Sequence, residues 1–283
     1  MYNLLKTAIA NTDRLFKNFF VSAGSFFLLL ESYEVLSNTD VLLSFELFII
    51  LSVVSTLLVF IIDGIFYTGF FINRVELFQK TFGTKLVIEF GDLLAKDGWK
   101  VIGVNDFFDS KVDEKIISSG TLHGKVLQTF WHEDSESWDL EITNALKDTV
   151  HIIEDRKVGN KKRYPIGTSV GMESKLEKFI FVSLAQTSLI NSTTNSSAEN
   201  IICATRGSLK VARELCANKP LILPLLGSGL ARIGLSNGVL LDLLICGIFE
   251  EIKLGKVTDV IKIVIHPDKR HEFDLKDLKK KWK

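Results

Sequence analysis

Residues 41–62 read VLLSFELFIILSVVSTLLVFII, and 17 of these 22 are Leu, Ile, Val or Phe. As a helix this run is about 33 Å long, close to the roughly 30 Å hydrocarbon core of a bilayer. At roughly −0.3 to −0.6 kcal/mol for each apolar residue, the run outweighs the single off-centre carboxylate of Glu46. A second apolar stretch, about 15–36, has its centre at FFVSAGSFFLLL and carries Lys17, Asn18, Glu31 and Glu34 toward its ends. The four residues SNTD at 37–40 form a turn signal between the two stretches, so a helical hairpin is expected. Ser22-Ala23-Gly24-Ser25 has the small residues of a signal-peptide cleavage site, but the apolar run continues past it and a stronger span follows. Lys6, Arg14 and Lys17 precede the first span, Arg74, Lys80 and Lys85 follow the second, and the turn between has no basic residue. By the positive-inside rule, the expectation is a multi-pass protein of the cell (inner) membrane with both termini cytoplasmic. Ser44, Ser52, Ser55 and Thr56 lie where they can pack or bond between helices, which favours a homo-oligomer.

Beyond about residue 80 the solvent implied by the composition changes. Most Lys, Arg, Asp and Glu residues fall there, giving an expected division into a transmembrane hairpin, 1–80, and a soluble domain, 84–283. The formal net charge is zero, so no global field selects nucleic acid. Cys203, Cys216 and Cys246 are far apart, with no C-x-x-C pair and no His at ligand spacing; neither a disulfide nor a metal site is expected.

Short apolar runs at 85–90, 100–104, 150–154, 179–184, 221–226 and 261–266 read as strands covered on both faces. Ser196-Ser197-Ala198-Glu199 offers a capping box for one helix, and Ser236 can cap another. Weaker helical patterns lie at 122–131 and 137–146. The alternation predicts an α/β fold: a three-layer α/β/α domain with a mixed sheet, largely parallel in part.

In such sheets ligands gather at strand-to-helix loops. PLLGSGLARIGLS (224–236) sets Gly227, Ser228, Gly229 and Leu230 to form an N–H concavity for phosphate, with Arg232 as a charge partner. EFGDLLA (89–95) places Asp92, followed by Leu93, after a strand, where a carboxylate can accept from an exocyclic amine or serve as a turn residue. In 104–125, Asn105, Asp106 and Asp109 can bond ribose hydroxyls, and His123-Gly124 belongs to a polar wall.

These three loops, in this order, carry a resemblance. FGDLL resembles the G-D-[IL] element of macro domains, VIGVNDFFDS stands where they carry a strand and an Asn-bearing ribose loop, and PLLGSGLARIG resembles their diphosphate loop. With the hairpin added, the chain resembles the membrane-anchored macro-domain effectors of Thoeris antiphage systems. The resemblance implies a sensor rather than an enzyme, without cofactor, whose ligand is an ADP-ribose conjugate, histidine-ADP-ribose in this architecture. It implies a functional link to a TIR-domain enzyme that makes the signal, and an oligomeric rearrangement that disrupts the lipid bilayer and kills the cell. Carried over by position, Asp92 would contact adenine, Asn105 the distal ribose, and Gly227 to Leu230 the diphosphate. VNDFF replaces the usual N-A-A-N and SGTLHG the glycine run after it, which counts against ADP-ribosylhydrolase activity. A membrane-anchored hydrolase is the alternative, with Asp106, Asp109 and His123 as its candidate bases.

Overall fold

A computed structural model describes residues 9, 11–40, 44–79, 83–132, 134–191, 193–229 and 233–282. They divide into two compact units, 1–75 with 273–283, and 76–272. The division differs from the expected 1–80 and 84–283. The chain's last residues leave the sheet-bearing unit because their helix, Leu275–Lys281, is tied elsewhere: Lys276 Nζ donates to the Tyr67 carbonyl at 3.3 Å.

In the first unit, α1 (Thr12–Ser37) and α2 (Phe45–Ile62) pack on each other. Arg14, early in α1, lies 3.9 Å from Asp63, just past α2, while Phe26 meets Phe48, so the helices run antiparallel. Ser44 caps α2 by accepting from the Leu47 amide, and a π-helical turn, Asp63–Tyr67, continues it. Val41, Leu42 and Leu43 of the expected span lie outside the described residues. Two helices, Thr12–Ser37 and Phe45–Tyr67, are long and apolar enough to cross a membrane. The seam between them combines the Phe26–Phe48 pair with small polar residues. Ser22, Ser52 and Thr56 are buried, whereas Phe20, Leu29, Phe45, Ile50 and Leu58 stand exposed.

The second unit is built on one mixed sheet. Its strands are β1 (Arg74–Gln79), β2 (Thr84–Phe90) and β3 (Trp99–Asn105), then, after helices α3 (Leu122–Phe130) and α4 (Ser135–Ala145), the short pair β4 (Ile152–Ile153) and β5 (Lys162–Arg163). There follow β6 (Ser169–Ser174), β7 (Glu177–Thr187), β8 (Thr194–Asn195), α5 (Ala198–Leu215), β9 (Leu221–Pro224), α6 (Asn237–Lys253) and β10 (Val260–Ile265). The strand order is β1-β2-β10-β9-β3-β7-β6, with β8 also on β7. β2, β10, β9, β3 and β7 run parallel, and β6 joins β7 antiparallel. The expected α/β fold with a mixed sheet is the fold observed.

Alternation along the strands explains the layers. Phe179 and Phe181 of β7 enter a buried cluster with Trp131 and Trp138 of the α3–α4 segment, while α5 packs on β7 and β6. α5 and α6 have the capping that the sequence signals: Ser197 accepts from the Asn200 amide and Ser236 from the Val239 amide.

Five of the six expected strands are the parallel core. The sixth, 150–154, is not. Only Ile152 and Ile153 are extended, exposed and paired with Lys162–Arg163 in a separate two-stranded ribbon. Three strands with no continuous apolar run, β1, β6 and β8, complete the sheet. In β6 only Val170 and Met172 are buried, the pattern of an edge strand with one covered face.

Candidate functional site

The carboxyl ends of β2, β10, β9 and β3 surround a cavity of about 490 Å³. Four loops leave these ends: 91–94 after β2, 105 onward after β3, 225–229 after β9, and 266–269 after β10. Residues from each line the cavity. Parallel strands end at the same edge of a sheet, so their loops, distant in sequence, converge there.

The glycine turn after β9 forms one wall through Leu225, Leu226, Gly227, Ser228 and Gly229. Gly227 has φ +82°, and a Cβ there would stand 2.3 Å from Ile233 Cδ1 and 2.7 Å from Ile201 Cδ1. Only glycine meets both the backbone sign and the packing. The Ser228 amide donates back to the Leu225 carbonyl at 3.2 Å. Leu230 and Arg232, expected in this wall, lie outside the described residues.

Asp92 and Leu93, from the loop after β2, also line the cavity. Leu93 is buried, and Asp92 is exposed with Oδ1 accepting from the Leu94 amide at 3.0 Å. The turn role and the rim position therefore coexist, since a carboxylate has further acceptor capacity on its other oxygen.

The loop after β3 is arranged differently from the expectation. Asn105 lines the cavity, but its side chain is turned into its own loop. Oδ1 accepts from the Phe107 and Asp109 amides at 3.3 and 3.1 Å, and Nδ2 donates to Asp109 Oδ2 at 2.8 Å. Asp106 and Asp109 are buried and absent from the lining. Asp106 accepts from Arg163 Nε at 2.7 Å and from the Thr187 amide at 2.9 Å. Asp109 accepts from Arg156 Nη1 at 3.0 Å and from the Asn160 amide at 2.7 Å. Two desolvated carboxylates require such partners, and the β4–β5 ribbon supplies them. Phe107 fills the space between, with the Arg156 guanidinium 4.1 Å from its ring centroid.

α3 contributes its first turn. Thr121 caps it by accepting from the Gly124 amide at 3.0 Å, and Ser118, Thr121, Leu122, His123 and Lys125 line the cavity. Gly124 itself does not. A Cβ there would sit 2.3 Å from the Ser118 carbonyl oxygen, so this glycine lets the loop close on the helix. His123 is buried against Trp138 at 5.7 Å between ring centroids, and its Nε2 has no partner. Burial pulls its pKa down to about 3, so the imidazole is neutral at neutral pH.

Two basic residues escaped the motif reading: Lys125 and Lys269 both line the cavity. Lys269 lies in a 3₁₀ turn, Pro267–Glu272, directly after β10. The rule that ligands gather beyond strand carboxyl ends points there, but no glycine or motif marks the turn.

The arrangement is one for holding an elongated polar ligand. It offers an acceptor at Asp92, a glycine turn with the Lys269 ammonium beside it, and a neutral imidazole at His123. The family model for Thoeris protein ThsA, Macro domain, matches residues 86–266. The chain is 31% identical over 199 residues to Thoeris protein ThsA of Bacillus amyloliquefaciens (strain Y2), a match that spans 66% of this chain and 62% of that protein. Among solved structures, the Oceanobacillus iheyensis macrodomain with ADP superposes with a TM-score of 0.50 at 13% identity, covering 73% of this chain and 96% of that one. The same macrodomain with MES bound gives a TM-score of 0.50 at 14% identity, covering 74% and 99%. These two show the fold. Fold, loop order and the span of the family match all lead to one assignment: this chain belongs to the Thoeris ThsA macro-domain family.

Proposed function

We propose that the chain is a ligand-gated membrane effector of antiphage defence, whose macro domain binds an ADP-ribose-derived signal, histidine-ADP-ribose, made by a TIR-domain partner. Ligand binding rearranges the apolar helices within a homo-oligomer and disrupts the bilayer. The observation that carries the reading is the cavity at the strand ends, lined by both Asp92 and the Gly227–Gly229 turn. Asp92 accepts from the adenine amine, and the glycine turn 227–229 takes the diphosphate, which backbone N–H groups favour.

The state of the acid-base candidates supports a sensor over a hydrolase. Asp106 and Asp109 are buried on arginines, and His123, with a pKa of about 3, is too weak a base to accept a proton from water near neutral pH. The composition of the hairpin supports the membrane. In water a helical pair buries its apolar face, whereas here the seam holds Ser22, Ser52 and Thr56 and the aliphatic side chains point outward, as a lipid solvent favours.

Calorimetry on the full chain in detergent micelles tests the proposal. ADP-ribose and histidine-ADP-ribose are expected to bind, the second more tightly. Asp92→Ala should weaken both by roughly 1.5–3 kcal/mol, the range for a hydrogen bond to a charged group. Absence of heat with either ligand, or turnover of ADP-ribosylated protein by the intact chain, refutes it.

A further inference from the structure

Lys269 belongs to two arrangements at once. It lines the cavity, and it stands in the turn Pro267–Glu272 that leaves β10. Its Nζ donates to the Ser228 carbonyl at 3.0 Å and lies 3.5 Å from Oδ1 of Asn237, the first residue of α6. Asn237 Nδ2 in turn donates to Glu272 Oε2 at 2.6 Å. The ammonium at the cavity is thus held by two neutral oxygens. The ammonium is charged toward either acceptor, but a phosphate oxygen adds the Coulomb attraction of an opposite charge, which a neutral carbonyl lacks. A phosphate oxygen arriving beside Ser228 therefore outcompetes the carbonyl for this ammonium.

The turn also leads somewhere. At Glu272–Phe273 the chain passes from the sheet-bearing unit to the unit that holds the apolar helices. There Lys276 Nζ donates to the Tyr67 carbonyl at 3.3 Å, and Lys276 Cβ lies 2.7 Å from where a Cβ on Gly69 would stand. Tyr67 ends the π-helical turn that continues α2. Eight residues of chain, Lys269 to Lys276, run from the cavity-lining ammonium to the side chain that bonds Tyr67.

We infer that Lys269 reads the anion of the ligand and transmits the reading: its Nζ leaves the Ser228 carbonyl for a diphosphate oxygen, and the turn Pro267–Glu272 shifts the C-terminal helix against Tyr67. The inference rests on the ligand-binding reading above. It adds a side-chain cation to a phosphate subsite otherwise built of backbone N–H groups, and it gives the signal a covalent route.

The test uses the full chain in lipid nanodiscs with ADP-ribose as the probe, reading affinity by calorimetry and amide hydrogen exchange over 273–282. Wild type is expected to bind and to change its exchange in that segment. Lys269→Met should lose at least tenfold in affinity and show no exchange change at saturating ADP-ribose, while Lys269→Arg keeps affinity within threefold and keeps the change. Lys269→Gln carries the same expectation as Lys269→Met, should the latter fail to fold. Lys269→Met or Lys269→Gln binding as wild type does, or still altering exchange at 273–282, overturns the inference and leaves the ligand-binding reading standing. Failure of wild type itself to bind ADP-ribose removes both.

Discussion

His123 joins stability to the cavity through a single ring. Its folded pKa of about 3 lies below the ordinary 6.5, because burial penalises the charged form. The unfolded state therefore binds the proton more readily. The stabilisation from keeping the ring neutral is complete above about pH 6.5 and is lost as the pH falls from there toward 3, at about 1.4 kcal/mol per pH unit. Urea unfolding followed by tryptophan fluorescence, which reports on Trp131 and Trp138 in the same cluster, should show this slope. His123→Leu should flatten it by that amount. An unchanged slope would mean that the ring is solvated.

At the scale of elements, the β4–β5 ribbon acts as a clamp on the loop after β3. Arg156 and Arg163 reach from the ribbon to Asp109 and Asp106, and Asn160 bonds both the Phe108 carbonyl and Asp139 of α4. Removing the cation from Asp109 leaves a buried carboxylate unpaired. Arg156→Met should destabilise the domain by about 3–5 kcal/mol in denaturant unfolding, the cost of breaking a buried pair. Arg156→Met combined with Asp109→Leu should recover part of that loss, since no charge is then stranded. Equal stability of Arg156→Met and wild type would show that solvent reaches Asp109. The clamp also explains why Asn105 faces its own loop: Asp109, fixed by Arg156, is the acceptor nearest its amide.

For the molecule as a whole, the cavity belongs to the sheet-bearing unit. A ligand that binds the folded sheet-bearing unit stabilises that unit by mass action. ADP-ribose at a hundred times its dissociation constant should add roughly 2.7 kcal/mol, read as a rise in the fluorescence-detected melting midpoint. Asp92→Ala should need a higher concentration for the same rise. A midpoint unmoved at any concentration would count against binding in the cavity.

Much of this was legible in the residues. Runs such as KLVIEF and IKIVIH can satisfy their apolar faces only as central strands, and 45–62 is apolar over most of its surface, so composition and periodicity alone pointed to these elements. Asp92 and Gly227 are marked in the same way, by the local backbone geometry that their side chains, or the lack of one, permit. The partners of Asp106 and Asp109, the edge strand β6 and the position of Lys269 are not local properties. Arg156 and Asp109 are 47 residues apart, and Lys269 and Ser228 are 41 apart. The first pair forms when the antiparallel β4–β5 ribbon folds onto the loop after β3, the second when β9 and β10 align in parallel, so the tertiary structure alone decided which carboxylates were structural and which cation faced the cavity. The desolvation of each group depends on everything packed around it, and no window of sequence contains that surrounding.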